Sequence, residues 1–325
     1  MNELNLIKKI SEIIHDNTYI GDDTAHLEEL GIVVTTDTLV ENVHFRLKTT
    51  TPFDLGYKSL AVNLSDIASD GAIPVYAFIS LSLPKYIDES FVEEFYKGIN
   101  SLAAKYKVII AGGDITGAEK LFINITAIGK TEGLPPARRK NAKVGDVIVA
   151  TGNLGSSRAG FEILENEKLF SKKLPNEIIE KFKKAHTKPE PHIFLGREIL
   201  LNSEKSPAMM DTSDGLADAL FKIAQASKVA IEIDKNLIPY DKDLKKVAEL
   251  SGANHFEWIF FGGEDYNLIA GISEQTYDKL VEKNLPVTKI GLVSGKNDEG
   301  LVKAGVITIT EKTLTDKAFN HFSAI

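Results

Sequence analysis

The chain has 325 residues, of which 43% are hydrophobic and 26% charged, and its formal net charge at pH 7 is −8. This charge argues against a general binder of nucleic acid or anionic membranes, because both attract an excess of Lys and Arg. The absence of cysteine excludes disulfides, thiolate nucleophiles and Cys-ligated metal sites.

The first half of the chain alternates between predicted helices and strands. A helix begins near Leu6, because apolar residues recur there at helical spacing. We expect helices over residues 52–69 and 90–106, and strands over residues 31–36, 75–83, 108–111 and 121–129. Of these strands, 108–111 is predicted to be buried and 121–129 half exposed. The first strand is expected to end at Asp37.

A hinge separates this half from a second unit of similar style. Gly133-Leu-Pro-Pro and the basic residues 138–140 are typical of a linker. We therefore predict an N-terminal domain, residues 1–137, and a C-terminal domain, residues 138–325, each with a mixed α/β (α+β) fold. In the second unit we expect strands at 146–151, 208–210 and 231–234 and a strand–turn–strand segment at 259–266. No apolar run approaches the ~18 residues of a membrane span, so a cytoplasmic location is the default expectation.

Aspartates stand beside apolar segments, mostly where a predicted strand ends. These residues are Asp22, Asp23, Asp37, Asp66, Asp114, Asp211 and Asp214. Carboxylates near a core are costly unless something pairs with them, and the basic residues cluster elsewhere in the sequence. Hard oxygen ligands suit Mg²⁺. The sequence therefore predicts a site for several Mg²⁺ ions.

Each of these positions also has a simpler explanation. Asp-Gly and Gly-Asp are ordinary turn sequences, and Ser213 and Asp214 could cap the helix that follows them. The helix at 52–69 carries a polar stripe that faces either solvent or a buried metal, formed by Ser59, Asn63, Asp66 and Asp70. The residues alone leave these alternatives open.

Two glycine-rich segments would let the backbone approach a ligand closely. They are Gly112-Gly113-Asp114 and Gly262-Gly263-Glu264-Asp265. Neither is a Walker A loop, and the Gly-rich loop and His-Arg-Asp motif of protein kinases are also absent. If the protein uses ATP, it does so through a different fold.

Eight segments, in order along nearly the whole chain, resemble the aminoimidazole-ribonucleotide synthetase superfamily and, within it, the thiamine-monophosphate kinases. The segments are residues 20–25, 36–45, 60–68, 72–74, 111–114, 144–152, 211–216 and 262–266. Val43-His44-Phe45, with His44 seven residues after Asp37, and Gly262-Gly-Glu-Asp-Tyr266 favour the kinase branch.

The resemblance implies transfer of the γ-phosphoryl group of ATP to thiamine monophosphate, giving thiamine diphosphate. In this family the transfer is direct and in line, with Mg²⁺ bridging two anionic substrates. The resemblance also implies a homodimer. The N-terminal sheets of the two subunits would pair into a barrel, and each C-terminal domain would form a separate α/β sandwich.

Site residues follow from the resemblance, position by position. The metal ligands would be Asp23, Thr35, Thr36, Asp37, Asp66, Asp114, Asp211 and Asp214. The nucleotide would contact Tyr96, Gly113, Asp114, Arg139 and Ser213. The thiamine part would contact His44, Glu264 and Phe319. Asp211, Asp214 and Arg139 would act in catalysis, although a solvated linker arginine and, for Phe319, a core anchor remain alternatives.

Two segments depart from the family pattern. Lys140-Asn141 replaces the usual Ser-Gly after Arg139, and His192 ends a segment that usually closes with Arg. Superfamily members that depend on cysteine or selenocysteine are excluded. Aminoimidazole-ribonucleotide synthetase itself, and a binding-only sensor or scaffold, remain as alternatives.

Overall fold

The computed structural model describes the backbone of residues 3–317 and the side chains of residues 6–317. The first helix, α1 (Glu3–Ile13), forms where the apolar spacing predicts it. Within the described part of the chain, none of the helices combines the length and apolar character needed to cross a membrane.

The N-terminal part contains a five-stranded sheet. Its strands are β1 (Ala25–Leu27), β2 (Ile32–Val40), β3 (Ile73–Leu83), β4 (Ile109–Gly117) and β5 (Phe122–Lys130), in the spatial order β1-β2-β5-β3-β4. β2 and β5 pair antiparallel with Thr36 opposite Thr126, while β3 and β4 pair parallel with Ser80 opposite Asp114. Alternate residues of β5 are buried, which confirms the half-exposed strand.

Helices α2 (Pro52–Ser69) and α3 (Glu89–Tyr106) pack closely against each other beside this sheet. The Thr51 side chain caps α2 by accepting a hydrogen bond from the Asp54 N–H, and Pro52 suits the first turn. The crossing of the two helices depends on two glycines. A Cβ on Gly56 or Gly98 would lie 1.9 Å from a backbone oxygen of the other helix.

The other face of the sheet is open in the single chain. Tyr76 and Phe78 of β3 are 43% and 40% exposed, and the described residues of β4 are mostly exposed along its length. The prediction of a buried strand at 108–111 is therefore wrong, because β4 is an edge strand that runs on to Gly117. The prediction that a strand ends at Asp37 is also wrong, since β2 continues to Val40.

The C-terminal part contains a seven-stranded sheet. Its strands are β6 (Val147–Thr151), β7 (Ala208–Asp211), β8 (Val229–Ile233), β9 (Leu268–Ile272), β10 (Val287–Lys296), β11 (Leu301–Ala304) and β12 (Ile307–Ile309), in the order β12-β11-β8-β10-β6-β9-β7. The helices are α4 (Ser156–Glu165), α5 (Glu167–Phe170), α6 (Asn176–Thr187), α7 (Ile193–Asn202), α8 (Leu216–Ser227), α9 (Leu244–Leu250), α10 (His255–Phe261), α11 (Glu274–Glu282) and α12 (Glu311–Lys317).

Both faces of the central strand β6 are buried. Val147 and Val149 join the core around α2, whereas Ile148 and Ala150 join the core of the C-terminal helices. Helix α2 contacts strands of both sheets, so it forms part of the contact between the two domains. We propose that the domain boundary lies between Ala137 and Arg138, where β5 has ended and β6 has not begun.

The strand–turn–strand prediction for residues 259–266 is wrong. Trp258, Ile259 and Phe260 are buried on α10, whose N-terminus is capped by the Asn254 side chain. Gly262 ends this helix, and an irregular loop then leads to β9.

Candidate active site

Three carboxylates from distant parts of the sequence meet at one point. Asp23 lies in the loop before β1, Asp66 in the last turns of α2, and Asp211 at the end of β7. One oxygen from each lies within 4.8 Å of the other two. The cluster thus combines two residues of the first domain with one of the second.

Neighbouring hydroxyls fix these carboxylates. The Thr35 hydroxyl donates to Asp66 Oδ2. The Ser65 hydroxyl donates to Asp211 Oδ2 at 2.6 Å. Asp23 Oδ2, however, is buried and has no hydrogen-bond partner among the described residues. A buried acceptor without a donor is costly. A bound cation would provide Asp23 Oδ2 with the positive partner that the described residues do not supply.

The electrostatics of the cluster also favour a cation. Burial raises the pKa of Asp211 to about 7, and repulsion from Asp23 adds to the effect. Burial, then Asp37 and Asp211, hold the pKa of Asp66 well above its ordinary value. Divalent cations bind carboxylate and hydroxyl oxygens, and their charge would remove this repulsion. The residues present therefore fit Mg²⁺.

The polar stripe on α2 is buried. Ser59, Asn63 and Asp70 are no more than 1% exposed, and Asn63 Oδ1 accepts a hydrogen bond of 3.1 Å from the Asp37 N–H. The solvent-facing interpretation of the stripe is wrong. Asn63 and Asp66 instead contact the strand that carries Thr35 and Asp37, whereas Asp70 bonds to Thr24 and His26.

Arg139 is a partner of the cluster. Its guanidinium pairs with Asp23 Oδ1, and its backbone N–H donates to Asp22 Oδ1 at 3.1 Å. Burial acts to lower the pKa of Arg139, but Asp23 and Asp22 outweigh it, so the net pKa is raised. A solvated linker arginine is excluded, because the side chain is only 16% exposed. Arg139 belongs to a basic segment distant from the aspartates in the sequence, and the fold brings it to Asp23.

Ser213 and Asp214 follow Asp211 into the turn before α8. The helix begins after Gly215 without a side-chain cap, so a capping role for Ser213 or Asp214 is wrong. Asp214 Oδ2 lies 3.6 Å from Lys222 Nζ, which also pairs with Asp218 Oδ2 at 2.7 Å.

The loop after α10 meets the same turn. The Glu264 N–H donates to the Ser213 carbonyl oxygen at 2.6 Å, so residues from two loops are joined directly. Burial acts to raise the pKa of Glu264, but Lys58, His186 and, to a smaller extent, His44 outweigh it, so the net pKa is lowered. His44 Nδ1 accepts a hydrogen bond of 2.9 Å from the Val40 N–H. His44 therefore contributes to the electrostatics around Glu264.

Other predicted site residues lie apart from the cluster. The Thr36 hydroxyl bonds to Asn124 and Thr126 on the open face of the sheet. Asp114 is exposed on the edge strand β4. A Cβ on Gly113 would lie 1.8 Å from the Ile79 oxygen, so this glycine is needed for strand pairing. Tyr96 is half buried on α3. Phe319 falls outside the described residues.

Sequence reasoning missed three polar residues that contact the site: Lys58, Ser65 and Lys222. A helical projection would have found the first two. Lys58 and Ser65 are seven residues apart and therefore lie on one face of α2. Lys222 is four residues after Asp218, one turn away on the same face of α8.

Comparisons with known proteins identify the family. Residues 21–131 match AIR synthase related protein, N-terminal domain, and residues 143–303 match the corresponding C-terminal domain. The thiamine-monophosphate kinase of Bacillus subtilis strain 168 is 39% identical over 339 aligned positions, covering 99% of this chain and 100% of the relative. The thiamine-monophosphate kinase of Aquifex aeolicus strain VF5 is 35% identical, covering 98% of this chain and 96% of the relative.

A solved structure agrees with these relatives. A structure described as AaThiL complexed with AMPPCP and TMP is 34% identical, with a TM-score of 0.86, and the match covers 99% of this chain and 97% of the other. The predicted two-domain fold is confirmed. The chain therefore belongs to the AIR synthase-related family of proteins and, within it, to the enzymes of the thiamine-monophosphate kinase family.

Proposed function

We propose that the protein transfers the γ-phosphoryl group of ATP to thiamine monophosphate and so forms thiamine diphosphate. The observation that carries this proposal is the meeting of Asp23, Asp66 and Asp211 at one point, next to the loop after α10 that contains Glu264. The relative described as complexed with AMPPCP, an ATP analogue, and TMP supports both substrates.

Metal ligands are proposed in two groups. Asp23, Asp66 and Asp211 form the centre, and Asp37, Thr35 and Asp214 lie around it. Thr36 and Asp114 face the open side of the sheet and would join only through another copy of the chain. When bound, Mg²⁺ would supply positive charge that offsets the repulsion between two anionic substrates.

The proposed reaction is a direct in-line transfer. A phosphate oxygen of thiamine monophosphate forms the new bond to the γ-phosphorus of ATP, and the bond from that phosphorus to the β,γ-bridging oxygen breaks to release ADP. A phosphate oxygen is already anionic at neutral pH, so a strong general base is not needed. The enzyme contributes positioning and charge.

The remaining residues would orient the two substrates. Arg139, which pairs with Asp23, is proposed to stabilise phosphate charge by paired N–H donors. Ser213, Tyr96, Gly113 and Asp114 are proposed to contact the nucleotide. His44, Glu264 and Phe319 are proposed to contact the thiamine part.

A homodimer is part of this proposal. Asp114 pairs with Ser80, Ser80 with Asn124 and Asn124 with Thr38, so Asp114 is three strands from β2. At about 4.8 Å per strand, this separation is about 14 Å. The open face with Tyr76 and Phe78 offers an apolar surface on which a second copy could pack and bring its Asp114 towards another site.

The test is a direct assay of the purified protein with ATP, Mg²⁺ and thiamine monophosphate, followed by chromatography of thiamine diphosphate. Product that requires both enzyme and Mg²⁺ would support the proposal. Binding of ATP without product would contradict it and would favour another acceptor or a binding-only role.

A further inference from the structure

A buried lysine of the first domain holds the Glu264 side chain of the second. Lys58 Nζ on α2 lies 2.8 Å from Glu264 Oε1. The Lys58 side chain is 5% exposed, whereas that of Glu264 is 31% exposed. A buried ammonium is very costly without a partner. The ion pair is therefore a fixed feature of the fold. Its lysine is shielded from solvent, whereas its carboxylate remains partly accessible to solvent.

The second carboxylate oxygen of Glu264 meets a neutral imidazole. His186 Nδ1 on α6 is 3.5 Å from Glu264 Oε2 and 3.0 Å from the Ser157 hydroxyl. Burial, together with the charge of Lys58, lowers the pKa of His186 to about 3. Because His186 is neutral at pH 7, Lys58 is the main positive partner of Glu264 at this contact.

The loop backbone is held by other contacts. Gly263 and Glu264 both have positive φ, +66° and +57°, and the Glu264 N–H is bonded to Ser213. Asp265 accepts hydrogen bonds from the N–H groups of Gly155 (2.6 Å) and Ser157 (2.8 Å) at the start of α4. Loss of Lys58 would therefore free the Glu264 side chain while the loop remains in place.

We propose that Lys58 is a positioning residue for the acceptor: it neutralises Glu264 and holds the carboxylate so that its open edge accepts a hydrogen bond from the acceptor's heteroaromatic ring. The inference rests on the proposed contact between Glu264 and thiamine monophosphate. Because Lys58 neutralises Glu264, we infer that Glu264 recognises a hydrogen-bond donor of thiamine monophosphate, such as a ring amino group, more than the positive charge of the ligand.

The geometry supports this role over a purely structural one. A contact between domains does not require an exposed partner, yet the Glu264 side chain is 31% exposed. Lys58 also shares a face of α2 with Ser65, which bonds to Asp211. One face of α2 thus contacts both Glu264, in the loop after α10, and Asp211 of the carboxylate cluster.

The experiment compares Lys58→Met with wild type in two measurements, direct binding of thiamine monophosphate without ATP and steady-state kinetics. We expect the Kd and KM for thiamine monophosphate to rise about ten- to a hundredfold, since a hydrogen bond to a charged group has this value. The KM for ATP should change less than about twofold. Equal rises in both KM values, or a loss confined to kcat, would overturn the proposal.

Two further variants separate positioning from folding. Lys188→Met removes a different ion pair between α2 and the C-terminal domain, Lys188 Nζ to Asp54 Oδ1 at 2.8 Å, and should leave both KM values near wild type. Glu264→Gln combined with Lys58→Met should bind the acceptor no worse than Glu264→Gln alone, because the lysine acts through the carboxylate. Additive losses would contradict this.

The remaining outcomes are also decisive. If Lys58→Met does not fold, Lys58→Arg can replace it, because it keeps the charge but changes the donor geometry. Lys58→Arg must then raise the KM for thiamine monophosphate and leave the KM for ATP near wild type. A wild-type protein that binds thiamine monophosphate without forming product would refute the proposed reaction and leave the Lys58 test intact. A wild-type protein that binds no thiamine monophosphate would refute both.

Discussion

Ser65 and Asp211 are joined by a hydrogen bond of 2.6 Å although 146 positions separate them in the chain. Ser65 lies on α2 of the first domain, and Asp211 ends β7 of the second. The bond orients one of the three clustered carboxylates from across the contact between the domains. This hydroxyl is not among the proposed ligands, but it contacts one of them, so it would influence the proposed metal site.

We expect Ser65→Ala to weaken Mg²⁺ binding about ten- to a hundredfold, because partners that orient a metal ligand have effects of this size. The measurement is the Mg²⁺ dependence of kcat/KM. Ser59→Ala is the matched control, since Ser59 is also buried on α2 and its hydroxyl donates to the Leu55 carbonyl oxygen of the same helix. Equal effects of the two variants would show that helix stability, not orientation of Asp211, is responsible.

Asp211→Asn separates activity from stability. Turnover should fall about a hundredfold or more, because a carboxylate ligand is lost. The metal-free protein should become more stable, since the change removes charge repulsion from Asp23 and Asp66. The measurements are kcat and Tm in the presence of a chelator. Asp298→Asn, in an exposed loop, should change neither. A Tm of Asp211→Asn far below wild type would show that Asp211 is structural.

The stability of the metal-free protein should depend on pH in a defined direction. The folded pKa of Asp211, raised to about 7 by burial and then by Asp23, exceeds its ordinary value of 3.8. Between these pH values the folded state binds more protons than the unfolded state, so stability falls as pH rises through this window. The contribution is fully present below pH 3.8. Tm should be lower at pH 7 than at pH 5.

Mg²⁺ should reverse this trend, because binding displaces the protons. The stabilisation by Mg²⁺ should therefore be larger at pH 8 than at pH 5, and Asp211→Asn should reduce the difference. A metal-free Tm that is unaffected by pH, with a pH-independent effect of Mg²⁺, would contradict the interpretation of the cluster.

His44→Ala should raise the KM for thiamine monophosphate more than the KM for ATP. His44 is held by the Val40 N–H and is proposed to contact the thiamine part, so its removal should weaken binding of the acceptor. Steady-state kinetics with each substrate varied in turn would measure the effect. His255→Ala is a suitable control, because it also removes a histidine but is not among the proposed site residues. His255 begins α10 and packs against Phe256 of the same helix and against Tyr240. A larger change for ATP would refute the assignment.

Phe78→Asp should disrupt the proposed dimer. Phe78 is 40% exposed on the open face of the N-terminal sheet, and a charge at the centre of an apolar interface is costly. Light scattering after size-exclusion chromatography would give the mass. Val306→Asp, at a position 98% exposed, is the control for added charge. A wild-type monomer with full activity would contradict the dimer.

The sequence predicted those features that depend on local patterns. The apolar spacing around Asp66 identified α2 and its polar stripe, and the alternation in β5 identified a half-exposed strand. Edge position depends on which strands pair, so the exposure of β4 could not be predicted from its apolar residues. The run Ile259-Phe-Phe resembles a strand, and only the cap at Asn254 and the burial of Trp258 indicate a helix.

Long-range pairs were the main omission at the site. Arg139 and Asp23 are 116 positions apart, and Lys58 and Glu264 belong to different domains. No local pattern connects such residues, because each pair forms only when residues of the two domains pack against each other. The aspartates themselves were predictable, since carboxylates beside apolar segments are rare without a partner.

Helix α2 also fixes a length. Lys58 pairs with Glu264 and Asp66 belongs to the carboxylate cluster, and these residues are eight positions apart. At 1.5 Å per residue their spacing along the axis is about 12 Å. A helix does not stretch, so this spacing is constant. Under the proposed binding mode, an acceptor with a longer or shorter spacer between ring and phosphate would place its phosphate away from the cluster.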